Sequence, residues 1–264
     1  MGKIVGVVSL KGGVGKTSSV VALGSAIASF DKKVLLIDGD FSAPNLGLHL
    51  NIIDPETTIH HVLSKRANVK EAIHKLDNFD VIPASVFERI EINPFALRDK
   101  IKPLKRKYDV VIVDSSPSLN EETLAVMLAS DEILVVTTPD FPTLSTTLKA
   151  VKLAKQRGTL VSGLVLNKVY NKNFELSVGD IEKTSDVPVM AVIPYDINVL
   201  RAQSEFIPST AHRPKSKASE EYKRLGAALI GEKYKPVKMK NFLRWINPEK
   251  QYVNREIYYK SVFG

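Results

Sequence analysis

The stretch Lys11-Gly12-Gly13-Val14-Gly15-Lys16-Thr17 decides the fold of this 264-residue chain. It follows an apolar run, Ile4–Leu10, and precedes Ser18–Phe30, which reads as a helix. A glycine-rich loop between a strand and a helix is the setting in which this pattern binds phosphate. Glycines let backbone N–H groups turn inward around phosphate oxygens, and the helix N-terminus adds the positive end of its dipole. The cradle would be Gly12, Gly13, Val14 and Gly15, closed by Lys16, Thr17 and Ser18 at the start of the helix. Lys16 is placed to reach the β/γ-phosphates and the Thr17 hydroxyl to ligate Mg²⁺. Counting back from Gly15-Lys16, Leu10 stands where the ordinary G-x-x-x-x-G-K-[ST] pattern begins with glycine.

Seven runs rich in β-branched and other apolar residues recur along the chain: Lys3–Leu10, Lys33–Asp38, Phe79–Pro83, Tyr108–Asp114, Glu132–Thr138, Thr159–Asn167 and Pro188–Ile193. They are nearly continuous rather than alternating, as strands covered on both faces are. Between them lie helical patterns at Glu121–Ser130, Leu144–Arg157, Ile197–Ser204 and Ser216–Gly231. The alternation predicts an α/β fold with a mostly parallel, doubly wound sheet, its ligand loops on one edge. The segment Ile207–Lys217 reads as an exposed loop. The basic run Lys100–Lys107 reads as a solvated helix face, with an anionic partner as the alternative. The adjacent His60 and His61 do not share a helix face, and nothing marks them as metal ligands.

Composition excludes several classes of function. There is no cysteine, so disulfides and cysteine-held zinc or iron–sulfur clusters are ruled out. The first residues run directly into a strand rather than a secretory signal, and no apolar run reaches the ~18–20 residues needed to span a bilayer. The expected location is the cytoplasm. The formal net charge is +8, of which residues 232–264 carry +5 and also seven of the 19 aromatics. Basic character thus belongs mainly to an appendage, and the predicted organisation is a phosphate-loop body, 1–231, with a basic aromatic tail, 232–264.

Two aspartate-bearing strand ends accompany the loop. Asp38-Gly39-Asp40 closes the second apolar run and Asp114 closes the fourth. An aspartate at such a strand end, beside a phosphate loop, is where a carboxylate holds Mg²⁺. The alternative is that both merely cap the following helices.

The run from Lys11 to Thr17 resembles the deviant Walker A motif, KGGxGK[ST], of the MinD/ParA ATPases. The resemblance covers roughly residues 2–231. It implies that Lys11 crosses a dimer interface to the partner's nucleotide, giving an ATP-dependent homodimer with the nucleotide sandwiched between subunits. Asp38 and Asp40 match the family's switch I D-x-D. By resemblance Asp38 belongs to the metal site with Thr17 and Asp114, and Asp40 positions the attacking water. Pro44-Asn45-Leu46-Gly47-Leu48 also looks like MinD-type sequence. Asn167, Pro194 and Asp196 match the loops that read the adenine edge, so the implied cofactors are ATP or ADP and Mg²⁺. Asn167 alone could also be a turn residue. Switch II departs from the family: Asp114-Ser115-Ser116-Pro117-Ser118-Leu119 lacks the glycine that brings a backbone N–H to the γ-phosphate, which predicts slow hydrolysis without an activating partner.

In the tail, Met239, Phe242, Leu243 and Ile246 form one apolar face if residues near 237–246 are helical, with Lys238, Lys240 and Arg244 on the polar side and Trp245 at the border. A short basic amphipathic helix is the pattern of an interfacial anchor. MinD-type proteins carry such a helix, which implies peripheral attachment to the inner face of a membrane. Packing on the body and binding of a protein partner, as activator or cargo, are the other two readings. A ParA-like DNA-partitioning ATPase is a rival, disfavoured by the small charge of the body, about +3. A regulatory protein that binds ATP and hydrolyses it poorly is a second.

Overall fold

Apolar runs that need cover on both faces build the centre of the molecule. The structure, a computed structural model, describes residues 2–87, 90–234 and 249–264. In chain order the elements are β1 (Lys3–Val8), α1 (Lys16–Ala28), β2 (Val34–Gly39), α2 (Leu46–His49), α3 (Ile59–Leu63), β3 (His74–Lys75) and β4 (Asp80–Ile82). There follow α4 (Leu97–Ile101), β5 (Val110–Ser115), α5 (Glu121–Ala129), β6 (Glu132–Thr137), α6 (Phe141–Gln156), β7 (Leu160–Val169) and α7 (Val178–Ser185). The last are β8 (Val189–Pro194), α8 (Ile197–Ser204), α9 (Ser209–His212), α10 (Lys217–Ile230) and α11 (Lys250–Phe263).

The eight strands lie in the order β3-β4-β2-β5-β1-β6-β7-β8. All neighbours are parallel except β3, which pairs antiparallel with β4 at the edge. The two-residue β3 was not expected from the sequence, and its pattern is too short to show a period. Every residue of β2, β5 and β6 is buried, as strands with helices on both faces must be. β1 stands between β5 and β6; its own crossover runs to β2 on one side while that of β5 runs past it to β6 on the other, so its C-terminal end opens onto a crevice. That end carries the loop 9–15. The register pairs Asp38 with Asp114 across β2 and β5, and Val7 with Asp114 across β1 and β5, which brings both aspartates to the loop.

Two details differ from the sequence reading. The segment 207–217 is not simply an exposed loop. Its α9 turn packs on α1, with Ser209 and Thr210 buried and Thr210 Oγ1 donating to Ala22 O at 3.2 Å. Asn167 does not end its strand either, since β7 runs on to Val169.

The amphipathic stretch near 237–246 lies outside the described residues. The residues after it form α11, to which the sequence reading gave no structure. α11 crosses onto β8 and α10. Arg255 Nη1 donates to Glu221 Oε1 at 2.7 Å and to Met190 O at 2.8 Å. Tyr258 OH donates to the Glu132 carboxylate, 2.8 and 2.9 Å away, and Lys3 Nζ reaches the same carboxylate at 2.5 Å. Burial and the Glu132 charge push the Tyr258 hydroxyl well above the usual phenol range. The docked face of α11 is therefore polar, and its buried charges meet partners as burial requires.

Candidate nucleotide and metal site

Left-handed backbone shapes the loop after β1. Gly13 has φ +78° and Gly15 φ +88°, a region that side chains with a Cβ rarely adopt. A Cβ on Gly12 or Gly13 would meet nothing within 4 Å, so open space faces the loop. A Cβ on Gly15 would stand 2.3 Å from Asn167 Nδ2. That closeness has a purpose: Asn167 Nδ2 donates to Val14 O at 2.8 Å, and Lys168 Nζ to Gly13 O at 2.7 Å. Two carbonyls are thus held away from the cradle by β7. Val14 is buried beneath the loop, and Ser19 Oγ closes it from the helix side on Gly15 O at 2.8 Å.

Lys16, Thr17 and Asp114 come together. Lys16 Nζ lies 2.5 Å from Asp114 Oδ1, and Thr17 Oγ1 donates to Asp114 Oδ2 at 2.6 Å. Lys16 and Asp114 are both buried. Ser18 follows in the first turn of α1, half-buried. Asp38 is buried beside them, its Oδ1 accepting from Asp40 N at 3.1 Å and its Oδ2 from Leu46 N at 3.0 Å. Burial first, then the Asp114 charge, push the Asp38 carboxyl up to about 8. Asp40 accepts from Ala43 N at 3.1 Å, and burial pushes its carboxyl up to about 6. At the end of α2, burial lowers the pKa of His49 near the same charges.

A hard cation fits this set. Carboxylate and hydroxyl oxygens of Asp38, Asp114 and Thr17 converge, and burial without a cation makes the charged form of Asp38 unfavourable. Mg²⁺ is usually bound through one or two carboxylates plus phosphate oxygens and water, which matches this donor set.

Lys11 points elsewhere. Its Nζ lies 2.6 Å from Thr143 Oγ1 and 3.4 Å from Asp140 Oδ1 at the start of α6, and its side chain is 40% exposed. Burial raises the Asp140 carboxyl, but hydrogen bonds from Thr138 and Thr143 and the Lys11 charge hold it below its ordinary value. Pro194 ends β8. Asp196 caps α8, accepting from Asn198 N at 2.9 Å. In this structure Asn167 and Asp196 therefore hold their own chain, Asn167 at the loop and Asp196 at a helix start.

The switch II segment is braced by α5. Asn120 caps that helix, accepting from Thr123 N at 3.0 Å. Thr123 Oγ1 donates to Ser116 O at 2.9 Å and Ser118 O at 2.7 Å. Leu119, where a glycine was expected from the resemblance, is exposed.

Two residues to which the sequence reading gave no role support the site. The buried Glu122 carboxylate accepts from Phe41 N at 3.2 Å and from Ser42 Oγ. Buried His60 accepts from Ser85 N through Nδ1 at 3.1 Å, which leaves Nε2 to donate to Phe41 O at 3.0 Å. The Phe41 peptide, next to Asp40, is thereby gripped on both sides. Glu122 sits in the first turn of α5, so it ties switch I to the segment after switch II.

A family model described as an AAA domain matches residues 2–159. An uncharacterised ATP-binding protein of Methanocaldococcus jannaschii is 33% identical over 235 residues, 87% of this chain and 88% of its own. The chain belongs to the MinD/ParA family of P-loop ATPases. The crystal structure of the cell division ATPase MinD of Pyrococcus furiosus superposes with a TM-score of 0.81 at 35% identity, covering 86% of this chain and 97% of that one. The septum site-determining protein MinD of Pyrococcus horikoshii, complexed with Mg-ADP, gives a TM-score of 0.82 at 32% identity, covering 87% and 96%. Membership accounts for the sheet order and for the phosphate loop followed by α1. Among the described residues no helix is long and apolar enough to cross a membrane.

Proposed function

We propose that this protein is an ATP- and Mg²⁺-dependent homodimerisation switch that controls reversible attachment to an anionic membrane surface. The observation that carries the reading is the division of labour between two lysines. Lys16 is buried on Asp114, facing the loop, whereas Lys11 reaches out to α6 and stays partly exposed, available to a second subunit. Gly12 to Ser18 would hold the phosphates of ATP. Thr17, Asp38 and Asp114 would hold Mg²⁺, which neutralises phosphate charge. Asp40 would orient the attacking water, and its raised pKa of about 6 suits a group that accepts a proton. Hydrolysis would then release Asp40 from the nucleotide. The braced, glycine-free switch II supports slow turnover until a partner moves it.

Attachment would use the stretch near 237–246, with Met239, Phe242, Leu243 and Ile246 as the inserted face. One short helix is a marginal anchor, and two in a dimer are retained through avidity. Co-sedimentation with anionic vesicles tests this. Binding should need a non-hydrolysable ATP analogue, fall with ADP, and be lost in Phe242→Glu. Equal binding with ATP and ADP would refute the switch. Salt-sensitive retention on duplex DNA in place of vesicles would favour the ParA-like reading.

A further inference from the structure

The end of the sheet opposite the nucleotide loops carries its own charge pattern. There the chain segments entering β1, β2 and β5 meet α11. Gly2 N donates to Lys105 O at 3.0 Å, Lys3 N to Asp109 O at 3.1 Å, and Asp109 N to Lys33 O at 2.9 Å. Lys32 pairs with Glu232 at 2.9 Å, which leads to Lys233 over the Tyr259 ring, 6.0 Å from its centroid. Lys3 Nζ stands 5.8 Å from the Phe263 centroid and closes the path back to β1. These contacts join the segments into one continuous strip.

Cations dominate the strip. Lys33, Lys102, Arg106, Lys107, Lys233 and Lys260 are exposed. Among the described residues none of the six has a carboxylate within ion-pair distance. The opposing acids are fewer. Glu232 is taken by Lys32 and Asp131 by Lys105, and Asp109 accepts from Lys33 N at 2.8 Å. Asp31, Asp99 and Glu256 remain exposed, and Asp80 accepts from Tyr108 OH at 2.5 Å. Like charges gathered without partners raise the energy of the folded body, and an anionic surface offsets that cost. Val262 and Phe263 stand exposed beside these cations, and apolar and aromatic groups among lysines are the composition of a lipid interface. Tyr234 is also fixed here, by Phe30 and Glu220.

We propose that this strip is a second contact surface for an anionic lipid bilayer, with Lys33, Lys102 and Arg106 resting on headgroup phosphates. It rests on the membrane attachment proposed above and adds the folded body to it. The geometry leaves the nucleotide loops, at the other end of the strands, free for a second subunit or a partner while the body is attached.

The test is the full-length triple variant Lys33→Gln/Lys102→Gln/Arg106→Gln with a non-hydrolysable ATP analogue. Vesicles of one part phosphatidylglycerol to two parts phosphatidylcholine are sedimented at low and high salt beside pure phosphatidylcholine. A basic residue near an anionic surface changes partitioning about fivefold, so even with screening the triple variant should bind at least about tenfold more weakly. Its salt dependence should also flatten, and basal phosphate release and circular dichroism should match the parent. Should the triple variant not fold, Lys102→Gln alone should still lose about fivefold. Parent-like binding by the triple variant, with binding lost in Phe242→Glu, would overturn the strip and leave the tail reading standing. A parent that ignores anionic vesicles would overturn both. Loss of duplex DNA binding with vesicle binding unchanged would make the strip a nucleic-acid surface and overturn the proposal.

Discussion

Replacing Arg255 by methionine should destabilise the protein by about 2–4 kcal/mol, a value that follows from breaking a buried pair. Arg255 and Glu221 expose only 7% and 6% of their side chains and meet at 2.7 Å. Removing one partner of such a pair costs about 3–5 kcal/mol, because the other charge stays buried. Here Glu221 keeps Arg224 at 3.2 Å and the Val192 N–H at 3.4 Å, which softens the loss. The Met190 carbonyl also loses its donor at 2.8 Å, worth about 1 kcal/mol. Methionine fills much of the same space, so a cavity adds little. Urea unfolding followed by far-ultraviolet circular dichroism gives the change by linear extrapolation. Glu221→Gln in the same background should recover part of it, since the buried charge that lost Arg255 is then removed. A change below about 0.5 kcal/mol, the range of ordinary surface substitutions, would show that α11 is not docked in solution.

Asp40→Ala should bind ATP normally and release phosphate at least about a hundredfold more slowly, because the water loses its orienting group. Paired measurements of nucleotide affinity and phosphate release check this, and an unchanged rate would move the role elsewhere. The Mg²⁺-free protein should lose stability as pH rises. Asp38 titrates at about 8 when folded, against its ordinary 3.8, so the folded state keeps a proton that the unfolded chain has lost. That contribution is complete below about pH 4 and disappears as pH rises through about 8. Thermal midpoints across this window should fall more steeply in the parent than in Asp38→Asn, which keeps only the smaller fall that Asp40, raised to about 6, contributes below that pH; a parallel fall in both would contradict the assignment. Glu122→Gln should lower kcat about tenfold with little change in KM, as expected when only transition-state positioning is lost. A pure KM effect would place Glu122 in ground-state binding instead.

The sheet was legible because continuous β-branched runs have few other uses, and the phosphate loop because three glycines and two lysines sit between a strand and a helix. Asp38 and Asp114 were legible as strand ends, and the observed register places them side by side. Glu122 and His60 were not, because their partners come from distant segments. Glu122 meets Phe41 across 81 residues of chain, and His60 meets Ser85 across 25. Neither residue belongs to a local motif. Asn167 was noticed for the chemistry of its amide, yet in the structure it holds Val14, 153 residues away. α11 stayed hidden for a different reason. Its buried positions are Gln251, Arg255 and Tyr258, which recur with helical spacing but are polar or amphipathic. A search for an apolar stripe passes over them, because this helix docks through hydrogen bonds and ion pairs.

Lys11 is expected to serve a second subunit while Lys16 serves its own. Light scattering of the parent, Lys11→Ala and Lys16→Ala with Mg²⁺ and a non-hydrolysable ATP analogue, alongside nucleotide binding, tests it most directly. The parent should dimerise, Lys16→Ala should bind no nucleotide, and Lys11→Ala should bind nucleotide but stay monomeric. A Lys11→Ala protein that dimerises like the parent would contradict it.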